Sequence, residues 1–107
     1  MTIKQISVSE VAALLSLKDV VIVDIRDARS FSLGHLPDAA HVTNNNMRQF
    51  VLSLSETQAI LVYGYSGEAS SRITAQFFVD SGFRDVYCLE GGYAAWQAAR
   101  ASAEEAV

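Results

Sequence analysis

Apolar residues along this chain fall into two alternating patterns. Short blocks rich in β-branched residues recur: Val20–Asp24 reads VVIVD, Ile60–Tyr63 reads ILVY and Val86–Leu89 reads VYCL. Such blocks suit strands buried on both faces of a parallel sheet. Between them, apolar positions return at helical spacing. Val8, Val11, Ala12, Leu14 and Leu15 give a stripe over Ser7–Ser16, and Ser7 followed three residues on by Glu10 is a capping-box start. Met47, Phe50, Val51 and Leu54 share one face of a helix over Met47–Leu54. Further helices are predicted over Ser71–Ser81, stopped by Gly82, and over the alanine-rich Tyr93–Ala103. Asp27 is placed to cap a short helix over Ala28–Leu33, which Gly34 ends with Pro37 just beyond. Ile3–Ile6 and Ala40–Val42 read as short strands, Asn44 to Asn46 as a polar turn, and Gly64–Ser70 as a loop. Gly91 and Gly92 make a turn that calls for positive φ.

Strands alternating with helices define an α/β domain with a mainly parallel central sheet and helices on both faces. Ligands of such sheets bind beyond the carboxyl ends of the strands. The loop after Tyr63 lies at one of those ends. With 107 residues, one domain over 1–107 is expected, its last stretch, about 98–107, reading as a tail that frays.

Charge narrows the partners. Twelve acidic residues against eight basic give a net charge of −4, with no basic stripe. Nucleic acid and anionic membrane surfaces are therefore not expected partners. No apolar run of about 18 residues and no signal-peptide pattern occurs, which points to the cytoplasm. One cysteine, Cys88, and two histidines, His35 and His41, make neither an internal disulfide nor a usual zinc site. No metal or cofactor is implied.

Three segments together resemble the rhodanese family. The first is Val23-Asp24-Ile25-Arg26-Asp27, then Phe31, then Gly34-His35-Leu36-Pro37-Asp38-Ala39, similar to the family's Asp-x-Arg strand end and its Gly-His-Ile-Pro-Gly-Ala. The second, Leu61-Val62-Tyr63-Gly64-Tyr65-Ser66-Gly67-Glu68-Ala69-Ser70, is similar to the active-site loop. The third runs from Gly82 through Cys88-Leu89-Glu90-Gly91-Gly92-Tyr93 to Trp96, like the family's closing strand, double glycine and Trp-bearing helix. Small bacterial thiosulfate sulfurtransferases carry a loop like Cys-Tyr-x-Gly-x-x-Ser. Tyr65, Gly67 and Ser70 fit it, but Gly64 stands at the cysteine's position. From Gly64 to Gly82 the chain is also one residue longer than that pattern, which resembles the related phosphatase branch if the extra residue lies in the loop.

The resemblance implies a cysteine thiolate that takes sulfane sulfur from thiosulfate as a persulfide and passes it to cyanide or a thiol. A thiolate is the nucleophile in such chemistry, and Gly64 has no atom to carry sulfur. Ser66 is no substitute, since alcohols are far less acidic. What remains is a cradle: N–H groups from Tyr65 to Ser70 (Tyr65, Ser66, Gly67, Glu68, Ala69, Ser70), at a helix start, suit a small anion. Glu68 opposes this, because like charges ~4 Å apart cost on the order of 4 kcal/mol at an effective dielectric of ~20. Arg72 offsets it if turned toward the loop.

Other residues have plainer readings. Cys88 reads as a buried strand residue, with a displaced nucleophile as the sharper alternative. Asp24 caps nearby N–H groups and Arg26 pairs with an acid; the resemblance makes this pair a brace for the site. His35 is expected to hydrogen-bond a loop carbonyl or carboxylate and to join Asp24 and Arg26 in bracing the site, His41 to lie on the exposed face of a strand, and Tyr93 and Trp96 to pack in the core.

Two functions remain. One is a non-catalytic rhodanese-like module that binds a thiosulfate-like anion, or a thiol or protein partner. The alternative is a thiosulfate sulfurtransferase, either inactivated by Gly64 or using Cys88. A phosphatase needs the same missing thiolate and ranks third.

Overall fold

The computed structural model describes residues 2–67 and 69–105. Its elements in order are β1 (Lys4–Ile6), α1 (Val8–Leu17), β2 (Val20–Asp24), α2 (Ala28–Leu33), β3 (Ala40–His41), α3 (Met47–Leu52), β4 (Ala59–Tyr63), α4 (Ala69–Asp80), β5 (Val86–Leu89) and α5 (Gly92–Glu105). The strands form one sheet in the order β1-β5-β4-β2-β3, every pair parallel. Among the described residues no helix is long and apolar enough to cross a membrane.

The period of two along each strand divides the core between two layers. From β4, Leu61 and Tyr63 join Val11, Phe31, Tyr93 and Trp96 beneath α1, α2 and α5. Ile60 and Val62 face the other way and join Ala75, Phe78, Met47 and Phe50 beneath α3 and α4. All five residues of β4 are buried, as a central strand covered on both faces requires. The α/β class with helices on both faces is the one the strand blocks predicted, and Tyr93 and Trp96 pack in the core as expected.

Element ends moved where local chemistry outweighed pattern. α4 covers Ala69–Asp80, so Ala69 and Ser70 are helical rather than part of the loop expected over Gly64–Ser70. α3 stops at Leu52, where the Ser53 hydroxyl turns back to the Phe50 carbonyl at 2.7 Å. Leu54 nevertheless packs on the face predicted for it. α5 continues through 98–105, the stretch expected to fray, while 106–107 lie outside the described residues. On α1 the stripe is narrower than predicted: Val11 is buried and Val8 and Leu14 pack on the core, but Leu15 and Ala12 are exposed. The Ser7 start stands, with the Glu10 carboxylate accepting from the Ser7 N–H at 2.9 Å.

At the other end of the sheet from the loop, Asp85 ties three segments together. It accepts from Lys4 Nζ at 3.0 Å and from Lys18 Nζ at 2.8 Å. Burial alone would raise its carboxyl pKa, but hydrogen bonds from Lys18, Tyr87 and Lys4 outweigh that and hold it at about 2. A depressed folded-state value means stability that is present above the ordinary carboxyl range and lost as pH falls through it. Because both lysines are largely in solvent, screening leaves about 1 kcal/mol of this. Urea unfolding at pH 5.5 and pH 2 is expected to show that loss, and Asp85→Asn is expected to remove this part of the pH dependence.

Candidate active-site loop and its brace

β2 and β4 end side by side, with Asp24 and Tyr63 as direct register partners. Directly paired residues in a sheet share a face, so both side chains turn toward α2 and α5. Asp24 is fully buried. Its carboxylate accepts the Arg26 backbone N–H at 2.8 Å, Arg26 Nη2 at 2.7 Å and the Tyr63 hydroxyl at 2.5 Å. Arg26 Nη2 also donates to the Gly34 carbonyl at 2.6 Å, and the guanidinium lies 3.9 Å from the Tyr93 ring centroid. The Tyr63 hydroxyl in turn accepts the Leu36 N–H at 3.1 Å. Burial, reinforced by the bond to Asp24, pushes the Tyr63 phenol well above its usual range, so it stays a proton donor here.

The loop grows directly from this brace. Gly64 is buried at the end of β4. Its carbonyl accepts the Tyr93 N–H at 2.8 Å, and the Tyr65 carbonyl accepts the Ala94 N–H at 2.7 Å. The first N–H groups of α5, which no helix can satisfy internally, thus hold two loop carbonyls. A trans peptide points its C=O and the following N–H in opposite directions, and no described peptide bond is cis. The Tyr65 and Ser66 N–H groups therefore point away from α5. Gly92 makes this docking possible. With φ 58°, it would carry a Cβ only 2.6 Å from the Gly64 oxygen and 2.8 Å from the Ser66 nitrogen. Gly34 serves a similar close approach, since a Cβ there would meet the Tyr93 hydroxyl at 2.6 Å.

The residues singled out in the loop separate two cavities. One, of about 400 Å³, is lined by Gly64, Tyr65 and Ser70 with Ile25, Arg26, Asp27 and Ser30. The other, of about 420 Å³, holds Gly67, Ala69, Ser71 and Arg72 beside Cys88 and Glu90. Glu68 lies outside the described residues. Cys88 runs beside β4 as expected, opposite Val62. It is 3% exposed, and its thiol donates to the Ser71 carbonyl at 3.7 Å. Burial raises its pKa, with the Arg72 charge acting weakly against. Burial and the raised pKa both favour the protonated thiol over the thiolate.

His35 behaves as expected: its Nδ1 donates to the Leu36 carbonyl at 2.8 Å, and its ring stacks on Phe31 at 4.1 Å. It lines neither cavity. His41 corrects the expectation of an exposed strand face. It is half-buried, its Nε2 donates to the Arg26 carbonyl at 2.6 Å, and its ring stacks with Phe31 at a centroid distance of 4.9 Å. Neither this link nor the roles of Tyr63 and Tyr93 around Arg26 followed from the sequence patterns. A tyrosine ending a buried strand was the available signal, because a buried hydroxyl needs a partner.

A sheet of this order, with a loop at the end of its central strand docked onto the closing helix, is a rhodanese-like arrangement. The sequence profile of the rhodanese-like domain matches residues 7–99, and the chain belongs to that family. Among curated relatives, it is 40% identical over 99 residues to the thiosulfate sulfurtransferase GlpE of Pseudoalteromonas translucida, covering 92% of this chain and 93% of that one. With GlpE of Shewanella oneidensis the identity is 39% over 98 residues, covering 92% and 96%. Among solved structures, the rhodanese-like domain of the Anabaena Alr3790 protein superimposes with a TM-score of 0.77 at 27% identity, covering 92% of this chain and 76% of that one.

Proposed function

We propose that this chain is a non-catalytic rhodanese-like module that binds a small, thiosulfate-like anion or an anionic group of a partner at the 64–70 loop. The observation that carries this reading is Gly64, which follows the central strand where the family's pattern has its cysteine. No side chain there can hold sulfur. The chain's one thiol, on Cys88, is buried and bonded to a backbone carbonyl in a different cavity. Anion binding draws on the Tyr65 and Ser66 N–H groups, both directed away from α5, and on the start of the 12-residue α4.

A second reading is a thiosulfate sulfurtransferase inactivated at residue 64. It is favoured by the names of the relatives, which share about 40% of aligned residues with this chain.

Incubation with thiosulfate and cyanide, with thiocyanate as the readout, tests both. Background turnover is expected, unchanged by Cys88→Ser. Turnover abolished by Cys88→Ser would refute the non-catalytic reading. A rise of at least about a hundredfold over background in Gly64→Cys would favour the inactivated enzyme, since a supplied nucleophile alone then completes the site. A silent Gly64→Cys would mean that the loop has diverged from catalytic geometry.

A further inference from the structure

We propose that two copies of this chain associate weakly through the outer face of α4, antiparallel about a two-fold axis, with Arg72 of each copy paired to Asp80 of the other.

α4 buries Ser71, Ala75 and Phe78 against the rest of the fold. At about 100° per residue, the opposite side of the helix carries Arg72, Ile73, Gln76, Phe77 and Asp80, all exposed. The outer face of a surface helix is ordinarily polar. Here Ile73 is 69% exposed and Phe77, about one turn on, is 43% exposed. Side chains at that spacing are neighbours on a helix, so the two form one apolar patch.

The charges that bracket the patch stand the wrong way round for their own helix. Arg72 is in the first turn, where the helix dipole favours anions, and Asp80 ends the last turn, where it favours cations. The ion pairs among the described residues join Lys4 and Lys18 to Asp85, and Arg26 to Asp24; none includes Arg72 or Asp80. Asp80 accepts from the Gln76 amide at 2.8 Å, a neutral group that leaves its charge in place. Glu90 lines a cavity with Arg72 without pairing to it.

An antiparallel copy of the same helix corrects both misfits. Its last turn lies beside this first turn, so Arg72 meets Asp80 of the second copy at each end. Side chains on a helix lean toward its N-terminus, which carries Arg72 in the direction of that last turn. Between the two pairs, Ile73 of each copy packs on Phe77 of the other. A parallel pair would set Arg72 against Arg72 and Asp80 against Asp80, and like charges repel. The face is thus complementary to itself in one orientation, and such an isologous contact closes at two copies. The 12 residues of α4 span about 18 Å. The contact therefore buries well under the ~1,600 Å² of a standard interface, and a dissociation constant of about 0.1–1 mM is expected.

Sedimentation velocity and amide spectra recorded from about 20 µM to about 2 mM span that range. The native chain is expected to sediment faster as concentration rises, with amide shifts concentrated in residues 72–80. Arg72→Glu and Asp80→Arg are each expected to weaken association about tenfold or more, because each sets like charges together at both ends. Mixed in equal amounts, the two variants are expected to regain near-native association, since the mixed pair has opposite charges at both ends. The double variant Arg72→Glu/Asp80→Arg, whose charges also match across the axis, is expected to associate like the native chain. All these positions are exposed, and amide spectra away from α4 check that each variant is folded. A native chain that stays monomeric throughout overturns the inference and leaves the patch to a different partner. Single variants that associate as the native chain does, or a mixture that restores nothing, overturn it as well.

Discussion

Asp24→Asn is expected to destabilise the protein by about 3–5 kcal/mol, the scale seen when one partner of a buried ion pair is removed. The native carboxylate satisfies three groups at once: the Arg26 guanidinium, the Arg26 backbone N–H and the Tyr63 hydroxyl. Asparagine keeps the size and one acceptor oxygen but leaves the Arg26 charge, 7% exposed, without a counterion. The Gly34 carbonyl and the Tyr93 ring remain as its partners, and neither is charged. Urea unfolding measures the loss as a lower midpoint at unchanged m-value. The double variant Asp24→Asn/Arg26→Met is expected to recover a large part of it, because the stranded charge is then gone. A loss below about 1 kcal/mol would show that water reaches the pair and that the brace is weaker than its geometry suggests.

Gly92→Ala is expected to cost about 2–4 kcal/mol, from left-handed strain and overpacking together. The φ of 58° disfavours any Cβ, and the added methyl would press on backbone atoms: the Gly64 oxygen at 2.6 Å, the Ser66 oxygen at 2.7 Å and the Ser66 nitrogen at 2.8 Å. Backbone cannot swing aside as a side chain can. Either α5 withdraws from the loop or the loop moves, so the amide signals of Gly64 to Ser66 should shift even where the protein stays folded. Gly67→Ala is the control, since a Cβ there meets nothing within 4 Å. Equal stability of the two variants would contradict the close docking.

Much of this was legible in the chain itself. β2 and β5 were readable to the residue because β-branched and apolar blocks bounded by polar residues leave little choice of ends. The Asp24–Arg26 pair was visible as a strand-end motif. What it does was not, because its partners come from elsewhere: Tyr63 by sheet register, Gly34 and Tyr93 by packing. Periodicity gives the face on which a residue lies but not its neighbour across the sheet. The start of α4 was misplaced because glycine and serine in 64–70 read as loop, while Ala69 and Ser70 are already helical. Asp38 shows a similar limit. It holds a left-handed turn, with φ 58°, where the family pattern has glycine, a conformation aspartate tolerates better than most residues.

The way the chain closes has a consequence for how it is made. The first strand has the last one as its neighbour in the sheet, and the carbonyls of Gly64 and Tyr65 find their donors on the final helix. A growing polypeptide must keep Lys4–Ile6 unmatched until Leu89 has left the ribosome, and the ligand loop stays unanchored until Ala94 follows. Pairings over such separations form late and slowly. Products truncated before Val86 are thus expected to be both sticky along the β4 edge that β5 would cover and unable to bind, so that quality control and function depend on the same stretch of chain.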